Sequence, residues 1–204
     1  YGLAKVEQDG LIVTTTLDLD LQNFAQAAVA TEVGHLKAAR VGNGAVLVTQ
    51  PKTGQILAMV GSKDYFDMAA DGNVNVTLAH RQPGSAIKPI NYALAIEHRV
   101  LTASTVLADK PTCFLTPDQK PYCPSNYDDQ WHGPTQVRFA LANSFNIPAV
   151  KTLVLNGLEN FVASSSAFGL TTFTDPTKYG PSITLGGGEV TMLDLVTAYG
   201  VLAN

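Results

Sequence analysis

Ser85 and Lys88 stand three residues apart in "RQPGSAIKPINYALAIEH", which covers residues 81–98. Pro89 locates the start of the helix in this segment, because proline has no N–H to donate and clashes with the carbonyl four residues earlier. Ser85 therefore lies in or just before the first turn, and the Lys88 side chain projects from the same face. A hydroxyl beside an amine can act as nucleophile and base if burial or a neighbouring cation lowers the lysine pKa.

The same four residues also fit an ordinary helix start. Serine is one of the preferred capping residues, since its hydroxyl accepts a bond from a free N–H of the first turn. Gly84, just before it, permits unusual backbone angles in either case. The spacing alone therefore leaves both the nucleophile and the cap open.

A second polar pair lies further along the chain in "ALANSFNIPAV", where Ser144 and Asn146 flank a phenylalanine. This segment is predicted to form a turn between two helical stretches. A hydroxyl and a carboxamide placed there could relay a proton and hold a substrate amide. Asparagine and serine are also common in turns that do no chemistry, so this pair is again ambiguous by itself.

The composition indicates a well-buried globular chain. Of its 204 residues, 46% are hydrophobic and 15% are charged, against roughly 25% charged in typical soluble domains. The net charge of −4 argues against nucleic acid as the main partner. No apolar run reaches the ~18 residues that span a membrane, so any anchor is expected outside this sequence. The histidine and cysteine spacings predict no metal site, and no cofactor is expected.

The predicted elements favour an α+β fold with an antiparallel sheet. Before residue 81 they are a strand at 11–17, a helix at 21–33 capped by Asp18 or Asp20, and a hairpin of strands at 44–50 and 55–61. Leu21, Phe24 and Ala28 mark the spacing of the first helix. Beyond residue 100 we predict short helices and loops, with helical periodicity at 137–145, 149–168 and 190–204. Two strands alone are marginally stable, so the sheet is expected to be incomplete.

Cys113 and Cys123 enclose a proline-rich stretch, "PTCFLTPDQKPYCP". They could be two free thiols, or they could form a disulfide across a hairpin-like excursion. A disulfide would imply an oxidising compartment outside the cytoplasm. The sequence leaves both alternatives open.

Four segments together resemble the transpeptidase domain of penicillin-binding proteins. They are "RQPGSAIKP", "SNYDDQWHGP", "ALANSFNIPAVK" and "ITLGGGEVTMLDLVTAYGVLAN", and they occur in the family's order and rough spacing. The pair "TTLDLDLQNFAQAAV" and "GAVLVTQPKTGQILAMVGSKDYF" is similar to the approach to that domain in class A, bifunctional members. The resemblance implies the fold shared with serine β-lactamases. It divides the chain into an opening strand and helix at 1–40 and the front part of the transpeptidase domain at 41–204.

The resemblance also implies roles for individual residues. In the family the serine matching Ser85 is acylated, and the lysine matching Lys88 is its base. The serine and asparagine of the second motif match Ser144, expected to relay a proton, and Asn146, expected to bind the substrate amide. Trp131, in the loop before that motif, is expected either to wall a peptide groove or simply to pack on the helical part of the domain.

The implied function is peptidoglycan D,D-transpeptidation through an acyl-serine, on the extracytoplasmic face of a bacterial cell membrane. The substrates would be stem peptides ending in D-Ala-D-Ala, and β-lactams would trap the serine. A serine β-lactamase or D,D-carboxypeptidase shares the acylation machinery and is the first alternative. A penicillin sensor or a non-catalytic cell-wall scaffold is the second.

The third motif of the family, K-T-G on a sheet edge after the second motif, is missing from its expected place. Lys52-Thr53-Gly54 has the right letters, but it precedes Ser85 and is predicted to be the turn of the hairpin. No K-T-G lies between Ser144 and Asn204, so the motif is expected from a later segment or a second polypeptide. One oxyanion donor should be the Ser85 N–H, and loss of the other costs about 2.7–4 kcal/mol. We therefore expect this chain alone to acylate poorly.

Overall fold

The computed structural model describes residues 2–8, 10–115 and 120–204. The fold is α+β, as predicted, and the chain forms two compact units, Tyr1–Val74 and Asn75–Asn204. The helices are α1 Leu3–Gln8, α2 Leu19–His35, α3 Lys88–Glu97, α4 Val137–Ala142, α5 Asn146–Asn156, α6 Leu158–Ser165 and α7 Met192–Ala203. The strands are β1 Val46–Thr49, β2 Ile56–Val60, β3 Val106–Asp109 and β4 Gly133–Gln136. Among the described helices, none is both long and apolar enough to cross a bilayer.

In the first unit, α2 packs on the hairpin of β1 and β2. Asp18 is the cap that starts α2, since its Oδ1 accepts a bond of 3.0 Å from the Leu21 N–H. The buried stripe of the helix consists of Ala25, Val29 and Val33, which join Ala58 and Val60 of β2 in one apolar cluster. These small residues allow the helix to lie close to the sheet.

Two details of this unit differ from the sequence analysis. Phe24, expected on the spacing of the helix, is 72% exposed, and the buried stripe begins one residue later. Residues 11–17 form no strand, so that prediction was wrong. The segment makes only isolated bonds, such as that from the Thr16 hydroxyl to the Ile56 carbonyl. β-Branched residues favour extended backbone, but a strand also needs a continuous ladder of partners.

The hairpin itself agrees with the prediction. β1 and β2 pair antiparallel, with Val46 opposite Val60. The segment Lys52-Thr53-Gly54 forms the turn, where the Gly54 N–H donates to the Gln50 carbonyl at 2.8 Å. Gly54 has a φ of +70°, a conformation that glycine adopts at little cost. This K-T-G is therefore a turn, as predicted.

In the second unit, α3 is the central helix. A 3-10 turn at Gly84–Ile87 leads directly into it, and Pro89 occupies the first turn of the α-helix, as the missing N–H requires. Apolar side chains of α3 share one core with α5, α6 and α7; its buried members are Ile87, Ile90, Leu94, Leu153, Phe161, Val162, Phe168, Leu170, Phe173, Ile183, Val190 and Ala198. The start of α3 is thus fixed by its own proline and by this core.

The short sheet of β3 and β4 was not predicted, because the pattern beyond residue 100 indicates mostly short helices and loops. The two strands are antiparallel, and Asp109 lies opposite Gly133 at one end. Each strand is four residues long, and β4 contains both a glycine and a proline, which are depleted in strands. The pairing of distant segments outweighs this weak local preference.

The segment 149–168, predicted as helical, is broken into α5 and α6. Gly157 interrupts it with a φ of +88°. The end of α3 meets the same break, because His98 Nδ1 lies 2.7 Å from the Asn156 Oδ1 and His98 Nε2 lies 3.3 Å from the Ser164 hydroxyl. A single imidazole therefore links three helices.

Cys113 and Cys123 form a disulfide, so the second of the two alternatives is the one that the structure shows. Beside it, Phe114 and Tyr122 each donate a backbone bond of 2.8 Å to the other's carbonyl. The excursion between β3 and β4 is thus closed at its base by covalent and hydrogen bonds together.

We expect the double variant Cys113→Ser/Cys123→Ser to be less stable than the parent. The disulfide closes a loop with a sequence separation of 10, and the chain-entropy model gives about 3 kcal/mol for a loop of this size. Urea unfolding followed by circular dichroism measures the difference. Reductant should bring the parent to the level of the variant and leave the variant unchanged; equal midpoints without reductant would contradict the prediction.

Candidate active site

Ser85 lines an open pocket in the second unit, and most of the residues around this pocket have polar side chains. The pocket has a volume of about 630 Å³ and is lined by Ser85, residues 125–129 and residues 143–146. Ser85 is exposed, and Gly84 before it has a φ of +57°. The 3-10 turn leaves the Ser85 N–H without an acceptor inside the helix, because first-turn N–H groups have none. The Ser85 hydroxyl and the Ser85 N–H are therefore both available at the N-terminal end of the helix.

Lys88 lies beneath the pocket and is only 1% exposed. Its ammonium donates to the Ser144 carbonyl at 2.6 Å, to the Ser144 hydroxyl at 3.1 Å and to the Asn146 Oδ1 at 2.6 Å. All three acceptors are neutral, so no negative charge compensates the ammonium for its lost hydration. Burial accordingly lowers the pKa of Lys88 to about 8.

The same contacts suit the neutral amine. Its two protons can keep the two short bonds, to the Ser144 carbonyl and to Asn146, because these oxygens only accept. The lone pair then faces hydroxyl protons, of which that of Ser144 is the one in contact. Within the described residues no hydrogen bond joins Ser85 directly to Lys88, although Ser85 and Ser144 line one pocket.

Ser144 owes its position to the turn that ends α4. Its N–H donates to the Leu141 carbonyl and that of Phe145 to the Ala140 carbonyl, while Ser144 adopts a φ of +56°. A residue other than glycine pays roughly 1–2 kcal/mol for this left-handed conformation. The turn aims both oxygens of Ser144 at the Lys88 nitrogen.

Asn146 begins α5, and each of its polar groups is engaged. Its Oδ1 accepts from Lys88, its Nδ2 donates to the Ser125 carbonyl at 2.6 Å, and its backbone N–H donates to the Asn126 Oδ1 at 2.7 Å. An amide nitrogen carries two protons, so one remains for a ligand. The carboxamide is therefore fixed in orientation before any substrate arrives.

Of the five predicted site residues, Ser85, Ser144 and Asn146 line the pocket, and Lys88 contacts the latter two. Trp131 is 43% exposed and is not among the described residues that line this pocket. Its part in substrate binding stays a prediction. Asp109, a buried carboxylate at the end of β3, was not among the predicted residues; its one signal in the sequence is a charge directly after the apolar run "VLA".

The glycine-rich segment after residue 185 supports the Ser85 turn. Gly186 has a φ of +89°, and a Cβ atom there would lie 2.2 Å from the Gly84 nitrogen. Arg81 and Val190 exchange two backbone bonds of 2.9 Å, and the Tyr199 hydroxyl donates to the Ala86 carbonyl at 2.9 Å.

The family model for the penicillin binding protein transpeptidase domain matches residues 44–204. The chain belongs to this family. Class A penicillin-binding proteins are among its relatives: it is 33% identical to penicillin-binding protein 2D of Bacillus subtilis over 98% of the chain and 32% identical to penicillin-binding protein 1C of Escherichia coli over 94%. It spans 28% and 24% of the lengths of these two relatives.

Solved structures agree with the transpeptidase fold. Penicillin-binding protein 1A from Haemophilus influenzae is 32% identical and superposes on 79% of this chain and 23% of its own with a TM-score of 0.70. Penicillin-binding protein PonA1 from Mycobacterium tuberculosis covers all of this chain and 52% of its own with a TM-score of 0.78 at 23% identity, which supports the fold alone. The fold class inferred from the motifs is therefore confirmed.

We expect Gly186→Ala to destabilise this transpeptidase chain and displace the Ser85 turn. The new methyl group would overlap the Gly84 backbone, which cannot move away as a flexible side chain would, so the cost should be about 2–4 kcal/mol. Gly133→Ala is the matched control, because Gly133 has a φ of +69° but open space around its Cβ position. Urea unfolding measures both, and equal losses of stability would contradict the steric argument.

Proposed function

We propose that the chain carries the acylating part of a serine D,D-transpeptidase site. The observation that supports this most directly is a buried lysine, of lowered pKa, bonded to the Ser144 and Asn146 side chains beneath the pocket that Ser85 lines. A helix cap needs no buried amine beside it. The arrangement therefore favours Ser85 as the nucleophile.

In the first step the Ser85 Oγ attacks the carbonyl carbon of the penultimate D-Ala of a stem peptide. The hydroxyl proton passes to the neutral Lys88 Nζ, directly or through the Ser144 hydroxyl, which lies 3.1 Å from that nitrogen. The negative charge moves to the carbonyl oxygen, near the Ser85 N–H at the positive end of the helix. A second donor on a strand after residue 204 would complete this hole.

The intermediate then loses the terminal D-Ala. The C–N bond breaks, and the proton held by the Lys88–Ser144 pair goes to the leaving amine, which restores the neutral lysine. An amine of a neighbouring stem peptide then attacks the carbonyl carbon of the acyl-serine and gives its proton to the Lys88–Ser144 pair. The C–O bond to Ser85 breaks, the proton passes to the Ser85 Oγ, and the cross-linked peptide is released. The free Nδ2 proton of Asn146 is suited to bind a backbone carbonyl of the peptide.

The partners and location follow from this reaction. PonA1, a structural neighbour, has been solved in complex with penicillin V, and we propose that β-lactams acylate Ser85 in the same pocket. Peptidoglycan stem peptides place the protein on the extracytoplasmic face of a bacterial cell membrane. A disulfide such as that of Cys113 and Cys123 suits an oxidising compartment.

We expect Ser85→Ala to abolish labelling by a fluorescent penicillin, because the bond to the ring carbonyl forms at the Ser85 Oγ. The full-length gene product is the sample, and intact-mass spectrometry counts the adducts. Ser166→Ala, a change of the same size in an exposed 3-10 turn, should label like the parent. Persistent labelling of Ser85→Ala would place the nucleophile elsewhere, and rapid release of the label from the parent would favour hydrolysis over transfer.

The acylation rate should depend on pH through Lys88, which accepts a proton only when it is neutral. With a pKa of about 8, roughly a tenth of the lysine is neutral at pH 7. The rate constant should therefore rise about tenfold per pH unit below 8 and level off above it. Stopped-flow measurements with a fluorescent penicillin give this profile.

Lys88→Arg is the matched variant for this pH dependence, since arginine keeps its proton throughout the range. We expect it to lose acylation at least a hundredfold and to show no rise near pH 8. An unchanged profile in Lys88→Arg would remove Lys88 from the role of base.

A further inference from the structure

Asp109 is a buried carboxylate that the reaction itself does not use. It ends β3, is 0% exposed, and gathers three donors on one oxygen. Its Oδ2 accepts from the Asn126 Nδ2 at 2.8 Å, from the His132 backbone N–H at 3.0 Å and from the His132 Nδ1 at 2.8 Å. Asn126 and His132 belong to the loop that precedes the second motif.

Both residues that donate to this carboxylate also contact residues that line the pocket. Asn126 accepts the backbone N–H of Asn146 at 2.7 Å, the first residue of α5. The His132 ring stacks on Phe145, with ring centroids 3.9 Å apart and planes inclined by 13°. Phe145 lies between Ser144 and Asn146, the two side chains that contact Lys88.

The burial of this charge is costly for a merely structural contact. The Oδ1 of Asp109 is buried and has no hydrogen-bond partner among the described residues, and an unpaired buried oxygen destabilises a protein. The ammonium of Lys151 in α5 donates to the neighbouring Ala108 carbonyl at 2.5 Å, and His132 Nε2 lies 3.2 Å from Asp128 Oδ2. A neutral side chain could hold the loop at a lower desolvation cost. It could not accept hydrogen bonds from three donors on one oxygen as strongly as a carboxylate does.

We propose that Asp109 is a positioning residue for the second motif. Through Asn126 it fixes the first N–H of α5, and through His132 it fixes the ring of Phe145, so that the oxygens of residues 144 and 146 stay on the Lys88 nitrogen. Its effect on acylation rests on the proposed function. Its effect on the position of Asn146 does not.

Amide hydrogen exchange of the Asp109→Asn variant tests this directly, because the Asn146 N–H is the end of the network. An asparagine offers a weaker acceptor and sets its own N–H against the donors of Asn126 and His132. We expect exchange at Asn146 to rise by about tenfold, while the Val150 amide, bonded within α5, exchanges as before. Asp175→Asn, at the half-exposed cap of a 3-10 turn, is the matched control and should change neither.

Asn126→Ala keeps the carboxylate and its bonds to His132, and it removes the link to Asn146 together with the Asn126 bond to the Gln130 carbonyl. It remains informative if Asp109→Asn folds poorly. It should raise exchange at Asn146 by a similar factor. Unchanged exchange at Asn146 in both variants, or an equal rise along all of α5, would overturn the positioning role.

Acylation kinetics of the full-length gene product give the second readout. Asp109→Asn should lower the acylation rate constant about tenfold, because misplaced groups slow chemistry, with less than about a twofold change in the non-covalent dissociation constant for penicillin. A larger dissociation constant together with an unchanged acylation rate constant would also overturn the proposal. If the parent is never acylated while Asn146 loses protection in the variant, the proposed function fails and the positioning role stands.

Discussion

The second unit depends on the burial of one ammonium group. Lys88 leaves water almost completely, so its protons must find acceptors within the protein. The acceptors come from residues 144 and 146, more than 50 positions along the chain. These acceptors reach the Lys88 protons only if α4 ends in a tight turn and α5 begins immediately after it. The same burial lowers the lysine pKa, so a single constraint sets both the local fold and the chemistry.

The sequence predicted the parts of the site that local rules determine. Pro89 alone located the start of the helix, and with it the relation of Ser85 to Lys88. Gly54 located the hairpin turn, and Asp18, one of the two predicted caps, located the beginning of α2. In each case one residue has few allowed conformations or a specific capping partner, so the prediction needed no knowledge of distant contacts.

What the sequence could not predict depends on contacts between distant segments. The hydrogen bonds of Asp109 join it to residues 17 and 23 positions away, and β3 finds its partner across the disulfide excursion. The prediction of a strand at residues 11–17 was wrong for the converse reason. Their β-branched side chains favour extended backbone, but no described strand pairs with them. Phe24 was expected on the spacing of α2, but Ala25, Val29 and Val33 are the residues that meet the sheet. The sequence left open whether burial or a neighbouring cation would lower the pKa of Lys88, and burial is the cause that the structure gives.

Two requirements conflict at Ser144: its left-handed backbone favours glycine, whereas its contact with Lys88 requires a hydroxyl. Glycine would relieve the conformational cost, and asparagine tolerates it better than serine does, but neither supplies a hydroxyl. A directed-evolution screen that scores only resistance to heat should therefore enrich glycine or asparagine at 144, and its most robust winners would lack the oxygen that contacts the buried amine. Thermostabilised versions of this chain need that codon held fixed.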